Sequence, residues 1–467
     1  VEPLKTHDVL LATAGKAARP LPSLFTAVST DTRQLHAGAL FVALKGDRYD
    51  GHQFLAQAAQ AGAVAAIVDQ DVGERAPLPT IRVRDSLRAL LDLGALARKR
   101  LSAKVVAITG SNGKTTTKEL VACCLQTRFA TVKSPASFNN FVGVPHTLFL
   151  ADASTQAVVL EVGTNHPGEI ATLAEVARPD VAVVTNVAAA HLEGLGTIAG
   201  VLAEKGSLLD FVARGGVAVL NQDDDVSFDA LRARARSRTV TTGVRRRADY
   251  LATMPHCDLD RIAFHLNGRT RVRVPLIGCH NLYNALTALA VAAELGVDLE
   301  AAATALRHFE GPPGRLKKHR VGNLLIVDDA YNANPGSMVA AIKTFASLRV
   351  PGRKILVLGD MAELGPHSKS MHREVGTATS CGPFDLLVTV GDDAVELREG
   401  AVERGFADSA AIHVRDADAA AHELLARLRP DDAILVKASR KTGLDRVVTR
   451  ILTTARGASG EARGAAS

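Results

Sequence analysis

The chain of 467 residues has no tryptophan, four tyrosines and fourteen phenylalanines. Its cores must be filled mainly by Ala, Val and Leu, and few rings remain as stacking platforms for single-stranded nucleic acid. Cysteine is scarce as well: five residues, an odd number with no CxxC pair. That argues against a disulfide framework and against a zinc site built on thiolates. No apolar stretch reaches the roughly 18 residues that mark a membrane span. The first residues, Val1-Glu2-Pro3-Leu4-Lys5, lack the basic-then-apolar order of a signal peptide. The expectation is a soluble cytoplasmic protein. Excess charge is also small, Lys+Arg 55 against Asp+Glu 49, a net +6. The basic runs (Arg98-Lys99-Arg100, Arg245-Arg246-Arg247, Lys317 to Arg320) are short and scattered. This suits an enzyme with polyanionic small-molecule substrates as well as a nucleic-acid binder.

What is present is an ordinary globular balance, 47% hydrophobic and 22% charged, which excludes wholesale disorder. At roughly 150 residues per domain the length predicts about three domains. The first block, 1–102, holds short apolar runs and closes on an amphipathic helix around Ser86–Arg100. The second, 103–311, opens on the β-rich run Lys104 to Thr109, with further buried-strand candidates at 157–162, 181–185 and 217–220. Strands alternating with helices imply a largely parallel sheet. Asn267-Gly268 between two strand-like runs reads as a hairpin turn. Gly311-Pro312-Pro313-Gly314 is the clearest linker. Beyond it, over 312–455, strand–helix alternation restarts at 324–327, 355–358, 386–390 and 433–436. The small and polar residues 456–467 read as a disordered tail.

Thr109-Gly110-Ser111-Asn112-Gly113-Lys114-Thr115-Thr116 follows a strand and precedes a predicted helix, Lys118–Leu125. That is the setting of a phosphate-binding loop. Glycines let backbone N–H groups converge on phosphate oxygens, Lys114 neutralises the β- and γ-phosphates, and Thr115 offers a hydroxyl to Mg²⁺. Ile108 stands where the longer form of the motif has its first glycine, so the match is to a shorter GxxGKTT variant. ATP is the expected nucleotide.

Glu161 ends one strand candidate and His191 follows another. In open α/β sheets ligands bind beyond the carboxyl ends of strands, so both share an edge with the phosphate loop. Alone, a strand-end Glu is usually solvated and a loop His merely polar. Lys205 stands out more. In the predicted helix Thr197–Ala213 it falls near the middle of the stripe formed by Ile198, Val201, Leu202, Leu208, Leu209 and Val212, at about 100° per residue. Such a lysine either snorkels out or is held for a purpose.

These motifs resemble the Mur ligase family, ATP-dependent amide ligases of peptidoglycan precursor synthesis, from about residue 29 to about residue 448. Gly278-Cys279-His280-Asn281-Leu282-Tyr283-Asn284-Ala285 and Gly314-Arg315-Leu316 are similar to further family motifs. The resemblance implies an α/β chain of three domains. These are an N-terminal UDP-sugar-binding domain, a central P-loop ATPase-like domain with a mostly parallel sheet, and a C-terminal Rossmann-like, doubly wound domain. Stretches 328–335 and 357–365 narrow it to the branch that adds D-alanyl-D-alanine to UDP-N-acetylmuramoyl-tripeptide. Departures are small: the family's KGSR reads Lys437-Ala438-Ser439-Arg440, a following Met-Glu reads Leu444-Asp445, and EMG reads Glu161-Val162-Gly163.

The resemblance implies a mechanism in which ATP converts the tripeptide carboxylate to an acyl phosphate and the dipeptide amine displaces phosphate. Two Mg²⁺ sites are expected. Lys114 would hold the β- and γ-phosphates together with a first ion near Thr115 and Glu161, and His191 with a carbamylated Lys205 would hold the second. Gly110 to Thr116, Asn281, Asn284, Arg315 and Asp328 are expected on ATP. Ser29, Thr30 and Arg33 match the UDP-sugar domain, and Asn139 and Asn140 the loop near the muramoyl substrate. Asp329, Asn332 and Asn334 are candidates for orienting the dipeptide amine, in a site completed when the third domain closes. The expected partners are these small molecules alone, with no nucleic acid and a monomeric chain. Two alternatives stay open: a family ligase adding a single amino acid, and a nucleic-acid-dependent ATPase.

Overall fold

Strands apolar on both faces belong inside parallel sheets covered by helices, and Lys104–Thr109, Ala157–Glu161 and Val181–Val184 are of that kind, buried from Val105 onward. In the computed structural model, which describes residues 2–46, 49–73 and 75–464 with side chains up to Ala455, they form the middle of a nine-stranded sheet. Its order runs Thr270–Val274, Ile262–Leu266, Tyr250–Cys257, Arg238–Gly243, Val217–Asn221, Val181–Val184, Lys104–Thr109, Ala157–Glu161 and Thr131–Lys133. Pairing is parallel from Thr131 to Tyr250 and antiparallel over the last two strands. The chain leaves Lys104–Thr109 to build one side of the sheet and then crosses to the other. The crevice at its carboxyl end is therefore where a ligand site forms.

Before this sheet lies one of five strands, parallel except for its Lys16–Ala17 edge. Helix Ser86–Arg100 joins the two. Asp85 caps it through Arg88 N at 2.9 Å, and three basic residues occupy its last turn, both favourable to the helix dipole. Its Leu90, Leu93 and Ala97 enter a core continuous with helices Gly143–Leu150 and Glu169–Ala177. The first two sheets thus share one apolar interior.

The last sheet runs Lys317–Val321, Leu324–Asp329, Ala433–Lys437, Lys354–Gly359, Leu386–Val390 and Ala411–Val414, parallel except for its first strand. Separate apolar clusters cover its two faces, as in a doubly wound domain. Residues 307–316, with Gly314 and Leu316 at positive φ, connect it to the central sheet. Among the described residues no helix is long and apolar enough to cross a membrane.

The hairpin forms where expected, with Asn267 and Gly268 both at positive φ. Other expectations change. The helix expected from Lys118 begins at Lys114, directly on the glycine turn, because its first N–H groups need no protein partner at an anion site. The helix expected over Thr197–Ala213 is α-helical only over Ile198–Gly206 and then tightens to a 3₁₀ turn. Ser207 Oγ donates back to Glu204 O at 2.6 Å there, a contact that bends helices. Residues 456–464, expected as part of a disordered tail, continue the last helix, Asp445–Gly464. The stretch has no proline, and Arg456, Ala458, Glu461, Ala462 and Arg463 are good helix formers that offset Gly457, Gly460 and Gly464 as the helix propagates from its packed turns. Residues 465–467 lie outside the described residues. Five irregularly spaced cysteines gave no reason to expect a disulfide, yet Cys257 and Cys279 are joined with their Cα atoms 5.7 Å apart. The fold brings the end of strand Tyr250–Cys257 to the start of helix His280–Glu294.

Candidate active site

Backbone geometry makes the loop first. A Cβ on Gly110, at φ +145°, would meet Thr185 Oγ1 at 1.9 Å, and one on Gly113, at φ +81°, would meet Asn284 Oδ1 at 2.5 Å. Only glycine lets the chain pass between these neighbours. Asn186 holds the turn from the next strand, accepting from Asn112 N at 3.0 Å and, through its carbonyl, from Ser111 N at 2.9 Å. Lys114 Nζ folds back to donate to Gly110 O at 2.7 Å. Burial pushes its ammonium below the usual lysine value, against the opposing charge of Glu161.

Asn281 and Asn284 stand behind this loop, both buried. Asn284 Oδ1 accepts from Thr117 Oγ1 at 3.1 Å, its Nδ2 donates to Asn281 Oδ1 at 2.8 Å, and Asn281 Nδ2 donates to Ile277 O at 2.8 Å. They brace the loop helix while also lining the cleft.

Glu161 is 1% exposed. Its Oε1 accepts from Asn139 Nδ2 at 3.0 Å, and its buried Oε2 has no hydrogen-bond partner. Lys205 is fully buried, and its Nζ also lacks a partner. Burial pushes its pKa well below the usual lysine value, and the charge of Lys114 adds to the effect. Two orphaned groups of this kind are costly unless a ligand completes them. Among the described residues no three His, Cys, Asp or Glu side chains converge as a ready-made metal cage. Magnesium takes one or two carboxylates and completes its shell with phosphates and water. The Thr115 hydroxyl and the free oxygen of Glu161 are oxygen donors that fit it.

The third domain closes over this edge. His191, itself in the left-handed region at φ +55°, brings Nδ1 to 2.5 Å from Glu363 Oε2. Burial lowers the His191 pKa, and Glu363 opposes that shift. The same hydrogen bond holds the Glu363 carboxyl below its usual value. Asn334 Nδ2 donates to Asn112 Oδ1 at 2.8 Å, so the phosphate loop is touched directly from the third domain. A cavity of about 920 Å³ lies between the two. Opposite the loop, Lys437 pairs with Asp329 at 2.7 Å, both nearly buried. Arg315 lies 4.3 Å over the Tyr331 ring and Arg440 5.5 Å from the same centroid.

Every residue from Ser111 to Thr116, with Asn139, Glu161, His191, Asn281, Asn284, Arg315, Asp329, Asn332 and Asn334, lines this cavity. Gly110 and Lys205 do not line it. Asp328 is not brought to the cleft: alternation along Leu324–Asp329 turns it away from Asp329, to 3.7 Å from His319. Its expected contact with ATP finds no support there. Asn140 Oδ1 accepts from Gly143 N at 2.9 Å just before helix Gly143–Leu150, and Asn140 lines a second cavity of about 680 Å³. Ser29, Thr30 and Arg33 line neither cavity. Arg33 is 82% exposed at its side chain and pairs with Asp31. Four cleft residues were not singled out from sequence: Glu363, Lys437, Tyr331 and Arg440. All lie in stretches that carry the family resemblance, which was the available signal.

A phosphate loop, an unsatisfied carboxylate and a closing third domain define a nucleotide-dependent ligase of the three-domain α/β type. The chain belongs to the Mur ligase family. Residues 24–98 match its catalytic domain family, 108–292 the Mur ligase middle domain, and 314–440 the Mur ligase glutamate ligase domain. It is 38% identical over 430 residues to UDP-N-acetylmuramoyl-tripeptide–D-alanyl-D-alanine ligase of Escherichia coli K12, covering 90% of this chain and 92% of that one. Among solved structures it is similar to MurF from Acinetobacter baumannii, at 32% identity and TM-score 0.88, covering 96% and 98% of the two chains. MurF of Thermotoga maritima in complex with ADP aligns at 28% identity and TM-score 0.80, covering 92% and 98%.

Proposed function

We propose that this chain joins D-alanyl-D-alanine to UDP-N-acetylmuramoyl-tripeptide at the expense of ATP, giving the UDP-muramoyl-pentapeptide, ADP and phosphate. The observation that carries the reading is the meeting of two cavities. Asn139, Gly163, Thr164 and Asn165 line both, so an acceptor lying along the second reaches the phosphate loop beside Glu161. The names and coverage of the relatives support the choice of substrates, and the ADP complex of the Thermotoga protein supports the nucleotide.

A carboxylate oxygen is a poor leaving group, so activation comes first. The acceptor carboxylate takes the γ-phosphoryl group, forming an acyl phosphate and releasing ADP. The dipeptide amine then attacks the acyl carbon, loses a proton, and phosphate departs. Both partners of the first step are anions, so placed cations dominate its barrier. Lys114 and the N-terminus of helix Lys114–Leu125 hold the transferring phosphate. Mg²⁺, when bound, neutralises the phosphates and the attacking carboxylate. Thr115 and Glu161 serve one ion, and His191 and Lys205 the other. The lowered pKa of Lys205 supports carbamylation: its neutral amine adds CO₂ and releases a proton, leaving an oxygen donor where the apolar setting disfavours an ammonium. Asn332 and Asn334 orient the amine from the third domain, and Arg315 faces the phosphates. Ser29, Thr30 and Arg33 serve the distal UDP end, Asn139 and Asn140 the muramoyl end. A monomer working in the cytoplasm is the reading that goes with these small-molecule substrates.

The test is mass spectrometry of a reaction with ATP, Mg²⁺, the UDP-muramoyl-tripeptide and D-Ala-D-Ala, with single D- or L-amino acids as controls. Pentapeptide with ADP and phosphate is the expected product. Ligation of a single amino acid instead would keep the ligase chemistry and overturn the dipeptide assignment.

A further inference from the structure

Lys118 lies one turn beyond Lys114 on the loop helix and has no exposed surface at all. A buried ammonium is tolerated only where its three N–H bonds are taken up. Here Nζ donates to Ser134 O at 2.8 Å and to Ala136 O, and pairs with Glu119 Oε1 at 3.0 Å. The two carbonyls belong to residues that follow strand Thr131–Lys133 and lead into Asn139, with Ala136 held in the left-handed region at φ +44°. From this strap Asn139 Nδ2 reaches Glu161 Oε1, Asn139 O accepts from Gly163 N at 2.8 Å, and Ser134 Oγ accepts from Glu161 N at 3.1 Å. Lys118 Nζ itself stands 3.9 Å from the unpartnered Glu161 Oε2. One side chain therefore ties the phosphate-loop helix to the strap that orients Glu161 and borders both cavities. Glu119 offsets the extra charge, and Lys133 pairs with Glu119 in turn.

We propose that Lys118 is a positioning residue for ligation: it holds the Ser134–Asn139 strap so that Glu161 and Asn139 keep their places against the nucleotide and the acceptor. The proposal rests on the ligase reading above. It is distinct from a simple charge effect, because a bare cation next to Glu161 would repel Mg²⁺, and its removal would then tighten the metal. Holding Glu161 in place has the opposite sign: partners of a metal ligand typically matter by about 10- to 100-fold in metal affinity.

Lys118→Met, Lys118→Gln and Lys118→Arg test this against the unaltered protein. Folding is followed by far-UV circular dichroism, and Mg²⁺-dependent ADP binding by calorimetry without turnover. Acceptor KM is measured in the ligation assay. In Lys118→Met the half-saturating Mg²⁺ is expected to rise about tenfold and acceptor KM with it. Metal-free ADP affinity should stay within about threefold, and Lys118→Arg should recover most of the loss. Unchanged or tighter Mg²⁺ dependence in folded Lys118→Met overturns the proposal. Should Met not fold, Lys118→Gln, which keeps a donor for Ser134 O, decides on the same criterion. Failure of both to fold makes Lys118 structural only and also overturns it. Absence of Mg²⁺-dependent ADP binding in the unaltered protein would overturn the ligase reading and this proposal together.

Discussion

Lys437 and Asp329 end adjacent parallel strands of the third domain, and their register places them directly opposite one another. At 2.7 Å, with side chains 2% and 10% exposed, they form a buried ion pair facing the cleft. Lys437 Nζ also donates to Asn332 O at 3.0 Å, and Asp329 Oδ1 accepts from Leu316 N at 3.2 Å. The pair thus fixes the end of the linker and the loop carrying Asn332 and Asn334. Removing one partner leaves the other charged, buried and nearly unsatisfied, which costs about 3–5 kcal/mol. Lys437→Met and Asp329→Asn should each lose that much. The double variant removes both charges, and the amide introduced at position 329 can still accept from Leu316 N, so it should be no less stable than either single variant. The coupling energy is then about 3 kcal/mol or more. Because the chain has no tryptophan, urea unfolding is best followed by far-UV circular dichroism. Losses below about 1 kcal/mol in the single variants, or single losses that simply add in the double variant, would refute the reasoning. The double variant should remain inactive in ligation, since both groups face the site.

Three further outcomes are expected. Lys205→Met should lower turnover about 10²-fold or more without loss of stability, because an apolar side chain replaces an unpartnered buried ammonium. A carbamate ¹³C resonance from labelled bicarbonate should appear in the unaltered protein and be absent from the variant. Tyr331→Leu removes the ring shared by Arg315 and Arg440, worth about 0.5–1 kcal/mol for each cation. Dipeptide or ATP KM should rise about five- to thirtyfold, while Tyr331→Phe stays near the original in steady-state kinetics. His146 packs edge-on against Phe138 with centroids 5.5 Å apart, and burial holds its pKa below 6.5. The unfolded chain therefore binds more protons as pH falls through 6.5, so stability is lost from there down to the lowered folded value. Urea midpoints between pH 7 and pH 5 should show that slope, and His146→Gln should reduce it.

Much of the central site was legible because it is local in sequence. A strand, a glycine turn and Lys-Thr-Thr follow one another within positions 104–116, and local geometry leaves that segment little else to form. Strand ends were legible for the same reason, since a carboxylate closing an apolar run, as at Glu161, must emerge at the sheet edge. Alternation within a strand was read less well. Asp328 and Asp329 are adjacent in sequence but face opposite sides of one strand, and only the register against Ala433–Lys437 says which side is the cleft. The Cys257–Cys279 pairing was invisible for a related reason: it depends on where an antiparallel extension of the sheet meets a helix 22 residues later.

Lys205 and Lys118 show how far a single-helix argument reaches. Lys205 stands out in the sequence because apolar neighbours surround it on a helical projection. Lys118 satisfies the same criterion, with Leu120, Val121, Ala122 and Leu125 buried on its helix, but the sequence pattern starts that helix at Lys118, whereas it begins at Lys114. At a helix start a lysine raises no question; one turn inside, it does. The two differ in what surrounds the ammonium. Lys118 finds two carbonyls and a carboxylate, so its N–H bonds are taken up and it holds structure. Lys205 finds none, so burial drives it toward the neutral amine. Two buried lysines on helices beside the same phosphate loop thus have opposite chemistry because one is fully hydrogen-bonded and the other has no hydrogen-bond partner.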